Sequence, residues 1–516
     1  MVHSVHGKAL AWLLLLSACG GGGAPQSVPD KPPNIVFILA DDLDVTAAAQ
    51  MVQVKSLVTQ AGAQFRQHRV SLSLCCPSRV TGLRGQFAHN TGIFKNGAPD
   101  GGFQATYSTG LENSTVATWL RGAGYRTAMF GKYLNGYPDT APSATYIPPG
   151  WDEWISPNGG TPYKGFNYTM NENGSTVSYG GTAPAYITDV ISARATSFIR
   201  RAVADHPGQP FFAYVAPYAP HSPATPAPRH ANTYPGVKAP RTASFDEADV
   251  SDKPSWVAAL PRLTATQIDD IDALHRKRLQ SLLAVDEMVK AIVDTLRDTG
   301  QLDNTYLFFA SDNGYHEGHH RFESGKNTGY EEDLMVPLSV RGPGVPTGLV
   351  IDRFTANVDY APTFAEIAGI GAPSSVDGRS LLGLMRGQTP ASWREALLLE
   401  HKSDIDDGIL RRDGTWEPAD PFDLNSGTGD AITGFSGLRT ADGYTYIEYE
   451  NGERELYDNG VDAAQLRNAY ATAPSALKAR LAAWLASLKT ASGSGLRQAE
   501  LASMSRRRRR VLQPLA

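Results

Sequence analysis

Cysteine is scarce in this chain, with three residues in 516, at positions 19, 75 and 76. Disulfides are therefore not its framework, and a chain of this length can bury a large core without them. Long apolar runs are also missing. The stretch at residues 9–16 is too short to cross a bilayer as a stable helix. Charged residues are few, at 19%, and the formal net charge is −5. That balance points away from a nucleic-acid-binding protein. No segment repeats itself at a fixed period, which excludes a solenoid or a propeller of repeats.

The ends of the chain are distinctive. Lys8 gives a basic start, the apolar run follows, and then comes Leu16-Ser17-Ala18-Cys19. This pattern resembles the bacterial lipobox, in which the cysteine is lipidated and becomes the mature N-terminus. Four glycines after Cys19 and a Pro-containing stretch to Pro33 suit a flexible tether. The expectation is a signal peptide over 1–18, a tether over 19–33, and an exported, periplasmic or cell-surface lipoprotein held to a membrane by its N-terminal lipid. Arg506 through Arg510 form a run of five arginines. It reads as a solvated tail, or else as an electrostatic hold on anionic lipid or polyanionic substrate.

Between the ends, apolar runs alternate with amphipathic segments, which predicts an α/β fold with a parallel or mixed sheet covered by helices. Four runs matter most. Residues 34–40 end in Asp41-Asp42, and residues 126–130 end in Gly131-Lys132. Residues 211–216 are followed closely by His221, and residues 305–310 end in Ser311-Asp312-Asn313-Gly314. Ligands of open α/β sheets bind beyond the carboxyl ends of strands. Four such ends carrying carboxylate, amide, lysine and histidine predict one convergent site. Asp41, Asp42, Asp312 and Asn313 are all oxygen donors, a set that suits calcium or magnesium better than zinc. Singly, Asp41-Asp42 would serve as a helix cap and Asp312-Asn313-Gly314 as a tight turn.

The segment Cys75-Cys76-Pro77-Ser78-Arg79 resembles the Cys-x-Pro-Ser-Arg signature of the sulfatase family. In that family the first cysteine is oxidised to formylglycine, whose hydrated gem-diol attacks sulfur and later expels the sulfate. By position that cysteine is Cys75. The resemblance extends through Pro337, Arg341-Gly342-Pro343-Gly344, Val358-Asp359-Tyr360-Ala361-Pro362-Thr363, Asp377-Gly378-Arg379-Ser380-Leu381 and Glu455-Leu456-Tyr457-Asp458, covering roughly residues 33–490. It implies a metal held by Asp41, Asp42, Asp312, Asn313 and the oxidised Cys75, with Ca2+ expected and Mg2+ as the alternative. It implies sulfate-binding roles for Lys132 and Lys326. His221 would contact sulfate and protonate the leaving alcohol. His316 and Asn135 are candidate substrate contacts; His319 and His320 are candidate pocket or loop residues, and His89-Asn90 candidate wall residues. Arg79, one helical turn after Cys75, should share its face, hold the diol and brace the ligands. Cys75 itself is expected at a helix start, where backbone donors favour an anionic oxygen.

Gly131-Lys132-Tyr133-Leu134-Asn135 resembles the glucosamine-6-sulfatase branch, with Leu134 where many sulfatases have histidine. After the pentad, Leu83-Arg84-Gly85-Gln86 departs from the commoner Leu-Thr-Gly-Lys or -Arg. The resemblance implies an alkaline-phosphatase-like fold. We place a catalytic α/β domain over 34–394, a smaller C-terminal α+β subdomain over 395–490 and a basic tail over 491–516. The substrate expected is a sulfated carbohydrate or an aryl sulfate, with loops over 138–186, rich in Tyr, Trp and Gly, as further contacts. A formylglycine-generating enzyme is the expected maturation partner. Two alternatives stand beside this reading: a phosphoesterase or phosphonate monoester hydrolase on the same fold, and a non-catalytic lipoprotein that binds sulfated glycan.

Overall fold

Every residue of strand β1 (Asn34–Ala40) is buried, and its side chains alternate between two cores. Ile35, Phe37 and Leu39 enter one, Val36, Ile38 and Ala40 the other. A strand apolar on both faces requires helices on both sides of its sheet. The computed structural model, which describes residues 1, 32–403 and 432–501, has that layering. Cys19 and Arg506 through Arg510 lie outside the described residues.

Ten strands form the main sheet. After β1 they are β2 (Ala63–Phe65), β3 (Arg126–Gly131), β4 (Glu153–Gly160), β5 (Tyr168–Glu172), β6 (Ser175–Tyr179), β7 (Phe211–Ala216), β8 (Thr305–Ser311), β9 (Leu338–Arg341) and β10 (Leu349–Ile351). Their order is β10-β2-β9-β8-β1-β7-β3-β4-β5-β6. The central five, β8-β1-β7-β3-β4, are all parallel, while β9, β5 and β6 make the sheet mixed. Helices α1 (Cys75–Arg84) and α4 (Tyr360–Ile367) pack on the face of Phe37. The long α2 (Ile187–Asp205) and α3 (Ala265–Asp298) pack on the face of Val36. Among the described residues no helix is long and apolar enough to cross a membrane.

The four strands expected from the apolar runs are adjacent in this sheet. Register pairs Ala40 with Ser311 and Gly131 with Ala216, so their carboxyl ends are level at one edge. Near the C-terminus a second, antiparallel sheet joins β11 (Ala396–His401), β12 (Phe435–Thr440), β13 (Tyr444–Tyr449) and β14 (Arg454–Asp458) in chain order. Helix α5 (Ser475–Leu488) covers it through Leu481, Trp484, Leu485 and Leu488. The Asn451-Gly452 turn joins β13 to β14 as the alternation of that segment predicts, with Gly452 at φ 94°.

Candidate active site

Asp41 and Asp42 follow β1 directly and are fully buried. They do not cap a helix. Asp44 takes that role, accepting from the amides of Thr46 and Ala47 at 2.9 Å each. Asp42 has φ 62°, a left-handed backbone that costs a non-glycine residue about 1 kcal/mol or more. Beyond β8, Asp312 Oδ1 accepts from the Asp42 amide at 3.1 Å, and Asn313 Nδ2 donates to Asp42 Oδ1 at 2.7 Å. The turn residues of one strand thus bind Asp42 of its neighbour.

Cys75 is the first residue of α1, at the positive end of the helix. Its Sγ stands 3.5 Å from Asp41 Oδ1 and 3.7 Å from Asp42 Oδ1. Asn96 Oδ1 accepts the amide of Cys76 at 2.9 Å, meeting one of the helix's first donors. One turn on, Arg79 projects to the same place. Its Nε donates to Asp312 Oδ2 at 2.8 Å, Nη1 donates to the Lys132 carbonyl at 2.8 Å, and Nη2 lies 3.6 Å from Asp41.

Two lysines each grip one acid. Lys132 Nζ donates to both oxygens of Asp41 at 2.9 and 2.8 Å. Lys326 Nζ donates to both oxygens of Asp42 at 2.7 Å. His221 donates from Nδ1 to the Ser222 carbonyl at 2.8 Å, which leaves Nε2 as the acceptor, 3.6 Å from Asp42 Oδ2. All of these side chains are buried. Three carboxylates, those of Asp41, Asp42 and Asp312, therefore face three permanent cations, Lys132, Lys326 and Arg79.

The electrostatics follow from that balance. Burial pushes the Cys75 thiol well up, more than Lys132 and Lys326 can offset, so the unmodified side chain is a neutral thiol. Burial would also raise Asp42, but Lys326, His221 and Lys132 together hold it far below the usual carboxylate range. Asp312 goes the other way: burial, with Asp41 and Asp42 nearby, raises it against the pull of Arg79. His221 is pushed down to about 3, chiefly by burial and then by the two lysines, against the attraction of Asp42.

Asp41, Asp42, Cys75 and His221 offer donor atoms within 4.8 Å of one another, a group able to hold a metal ion. Asp312 and Asn313 stand beside it. The Oδ1 of Asn313 is buried with no hydrogen-bond partner among the described residues, as expected of an oxygen reserved for a cation. The thiol and imidazole would also suit zinc. Against that, a thiolate at Cys75 would sit against two carboxylates that repel it.

The other candidate residues have partners of their own. His316 donates its Nδ1 hydrogen to Asp333 at 2.9 Å, and its Nε2 is buried with no hydrogen-bond partner among the described residues. Asn135 is buried, with its carbonyl accepting from Phe103. His320 pairs with Glu247 at 2.7 Å, and the His319 ring accepts the Glu317 amide at 3.0 Å. His89 and Asn90 bind Glu400, Asp377 and the Ala491 carbonyl, which fastens the segment following α1 to the C-terminal segment. Within 138–186 most aromatics, such as Trp154 and Tyr168, pack on one another or on the core. Tyr163 is different. Its ring lies 4.6 Å from that of His221, with Lys132 Nζ 5.1 Å from its centroid. Neither Tyr163 nor Asn96 belongs to a motif, so only their position marks them.

Comparison with known proteins agrees with this geometry. The family model described as Sulfatase matches residues 33–370. A Caenorhabditis elegans homologue of extracellular sulfatase Sulf-1 is 36% identical over 384 residues, 72% of this chain but only 53% of that protein, so the chain spans about half its length. Human N-acetylglucosamine-6-sulfatase is 34% identical over 402 residues, 76% of this chain and 71% of that one. Among solved structures, a protein in complex with its substrate D-glucosamine-2-N,6-O-disulfate superposes with a TM-score of 0.70 at 24% identity, over 88% of this chain and 97% of the other. The last likeness concerns the fold alone.

Proposed function

The chain belongs to the sulfatase family, and from that premise we propose that it hydrolyses sulfate monoesters of sulfated sugars, with a 6-O-sulfated glucosamine as the preferred unit. The observation that carries the reading is the meeting of Cys75, at a helix start, with Asp41, Asp42 and two lysines on one sheet edge. The likeness to human N-acetylglucosamine-6-sulfatase supports the choice of sugar. In this reading Cys75 is converted to formylglycine, which supplies an oxygen nucleophile that a buried neutral thiol is not.

Asp41, Asp42, Asp312 and Asn313 would hold a hard divalent cation, calcium foremost and magnesium next. When bound, it would act as a Lewis acid and offset negative charge. The chain's own residues do the rest. Lys132 and Lys326 are placed to pass from carboxylate to sulfate oxygens. Arg79, fixed by Asp312 and the Lys132 carbonyl, orients both the residue at 75 and the metal ligands. His221 presents Nε2 to the site, its other nitrogen being committed to Ser222; burial leaves that atom unprotonated in the free protein, so it must take up a proton as substrate binds before passing one to the departing alcohol. Burial of the whole set excludes water and strengthens each charge interaction. We place the catalytic domain at 34–394 and the C-terminal subdomain at 395–490, and we propose export as a lipoprotein through Cys19. Palmitate labelling that persists in Cys19→Ala overturns the anchor.

The test is peptide mass spectrometry across Cys75 in protein from its native host, joined to an assay on sugar sulfates of defined position, an aryl sulfate and a phosphate ester. A peptide lighter than its cysteine form, with turnover of the 6-O-sulfate and none in Cys75→Ala, is the expected result. Full turnover by Cys75→Ala, or a preference for phosphate, overturns it.

A further inference from the structure

We propose that Arg278 and Glu317 form a positioning pair that fixes the two acid-bearing loops against each other and so sets the site's affinity for its divalent cation. This inference rests on the metal reading above. Arg278 lies in the middle of α3, in the run His275-Arg276-Lys277-Arg278. Lys277 is exposed, whereas Arg278 is fully buried. Burying a guanidinium costs several kcal/mol unless its partners compensate (about that order), so what it holds is informative.

It holds both loops. Nη2 donates to the Asp42 carbonyl at 2.9 Å and to Asp44 Oδ2 at 2.8 Å. Nε lies 3.3 Å from Glu317 Oε1, and the guanidinium carbon stacks 4.0 Å from the centre of the Tyr315 ring. Glu317 follows Asn313 by one turn's length of chain, and its other oxygen takes the Nδ1 hydrogen of His275 at 2.8 Å. Residues 275 and 278 share a helix face. One face of α3 thus grips the loop of Asp41-Asp42 and the far end of the loop of Asp312-Asn313.

The gripped carbonyl belongs to Asp42, whose left-handed backbone needs outside support. On their near side the loops are already joined by Asp42 to Asp312, by Asn313 to Asp42, and by the Leu43 amide to Ser311 Oγ at 2.8 Å. Arg278 closes the far side. Arg278 reaches the Asp42 loop through the Asp42 backbone carbonyl and through Asp44, so it acts through backbone and neighbours. Its charge alone would repel a dication. Positioning and charge therefore predict opposite signs on removal, which makes the proposal decidable.

The experiment is calorimetric titration of the metal-depleted, full-length protein with Ca2+, for wild type, R278M, R278K and E317Q, beside the Tm of each metal-free form. Supports that fix metal ligands typically contribute 10- to 100-fold in affinity. R278M and R278K should each raise Kd by about 10-fold or more, and E317Q should raise it less, in the same direction. R278K is informative because an ammonium keeps the charge but cannot span both loops. If R278M does not fold, R278K and E317Q decide. Affinity in R278M equal to or tighter than wild type overturns the proposal. So does R278K indistinguishable from wild type, or a lower metal-free Tm with Kd unmoved. A wild type that binds no Ca2+, nor Mg2+ when titrated in the same way, overturns the metal reading itself, and is told apart because wild type fails too.

Discussion

Each acid at the sheet edge is matched to its own cation, and single residues can be argued from that pairing. Lys326→Ala leaves Asp42 buried without its nearest cation and, under the proposed function, removes a donor to the charge that develops on sulfate. We expect kcat/KM on a sulfate ester to fall by about 10²-fold or more, and the metal-free Tm to fall as well. Retained kcat/KM would end the sulfate-binding assignment. Glu112 is a different case. It is buried, and its hydrogen-bond partners are the hydroxyls of Tyr133 at 2.8 Å and Tyr146 at 3.1 Å. Burial raises it from the ordinary 4.5 to about 7, and the two phenols only partly offset that. The folded state therefore holds this proton more tightly than the unfolded chain does. The stabilisation is complete below pH 4.5 and is lost as pH climbs through 7. By linkage the loss is about 3 kcal/mol. Glu112→Gln should remove this slope, read from urea midpoints at a series of pH values. An unchanged slope refutes it.

At the scale of elements, the carboxyl end of β3 leaves no room for change. Gly131 has φ 103°, and a Cβ there would stand 2.0 Å from the Ala216 carbonyl oxygen of β7. Gly131→Ala should push β3 from β7, displace Lys132, and cost about 2 kcal/mol or more; urea unfolding measures it, and a neutral result counts against the close approach. Here too lies the reason the sequence was readable. Strands buried on both faces must be nearly continuous apolar runs, so 34–40, 126–130, 211–216 and 305–310 stand out unaided. Parallel pairing then carries Asp41, Lys132, His221 and Asp312 to one edge. What was not readable depends on three-dimensional position alone. Nothing in His275-Arg276-Lys277-Arg278 distinguishes the buried arginine from its neighbours before α3 is laid on the sheet. Tyr163 looks like any other ring in an aromatic-rich segment. His316 sits beside a motif, yet its ring hydrogen goes to Asp333.

At the scale of the molecule, the approach to the C-terminal sheet is tied to the start of α4 and to Glu500 by charges in the interior. Arg394 bonds Asp359 through both Nη atoms at 2.6 and 2.8 Å and Glu500 through Nε at 2.8 Å. All three side chains are fully buried. Arg394→Met strands two carboxylates, although Arg379 still reaches Glu500. A loss of about 3–5 kcal/mol in unfolding free energy is expected, with kcat per folded molecule unchanged; a loss under 1 kcal/mol would contradict it (about the value of an exposed pair). A second bond runs from Glu455 of β14, which accepts from Tyr330 at 2.8 Å, four residues past Lys326. The last consequence comes from the complete enclosure of Cys75. Under the proposed function, an enzyme that oxidises this thiol would have a deadline: it would compete with collapse of the nascent chain, because in the folded chain the thiol is wholly buried. On that proposal, protein made without the oxidising enzyme would remain inert on later incubation with it unless it is first unfolded.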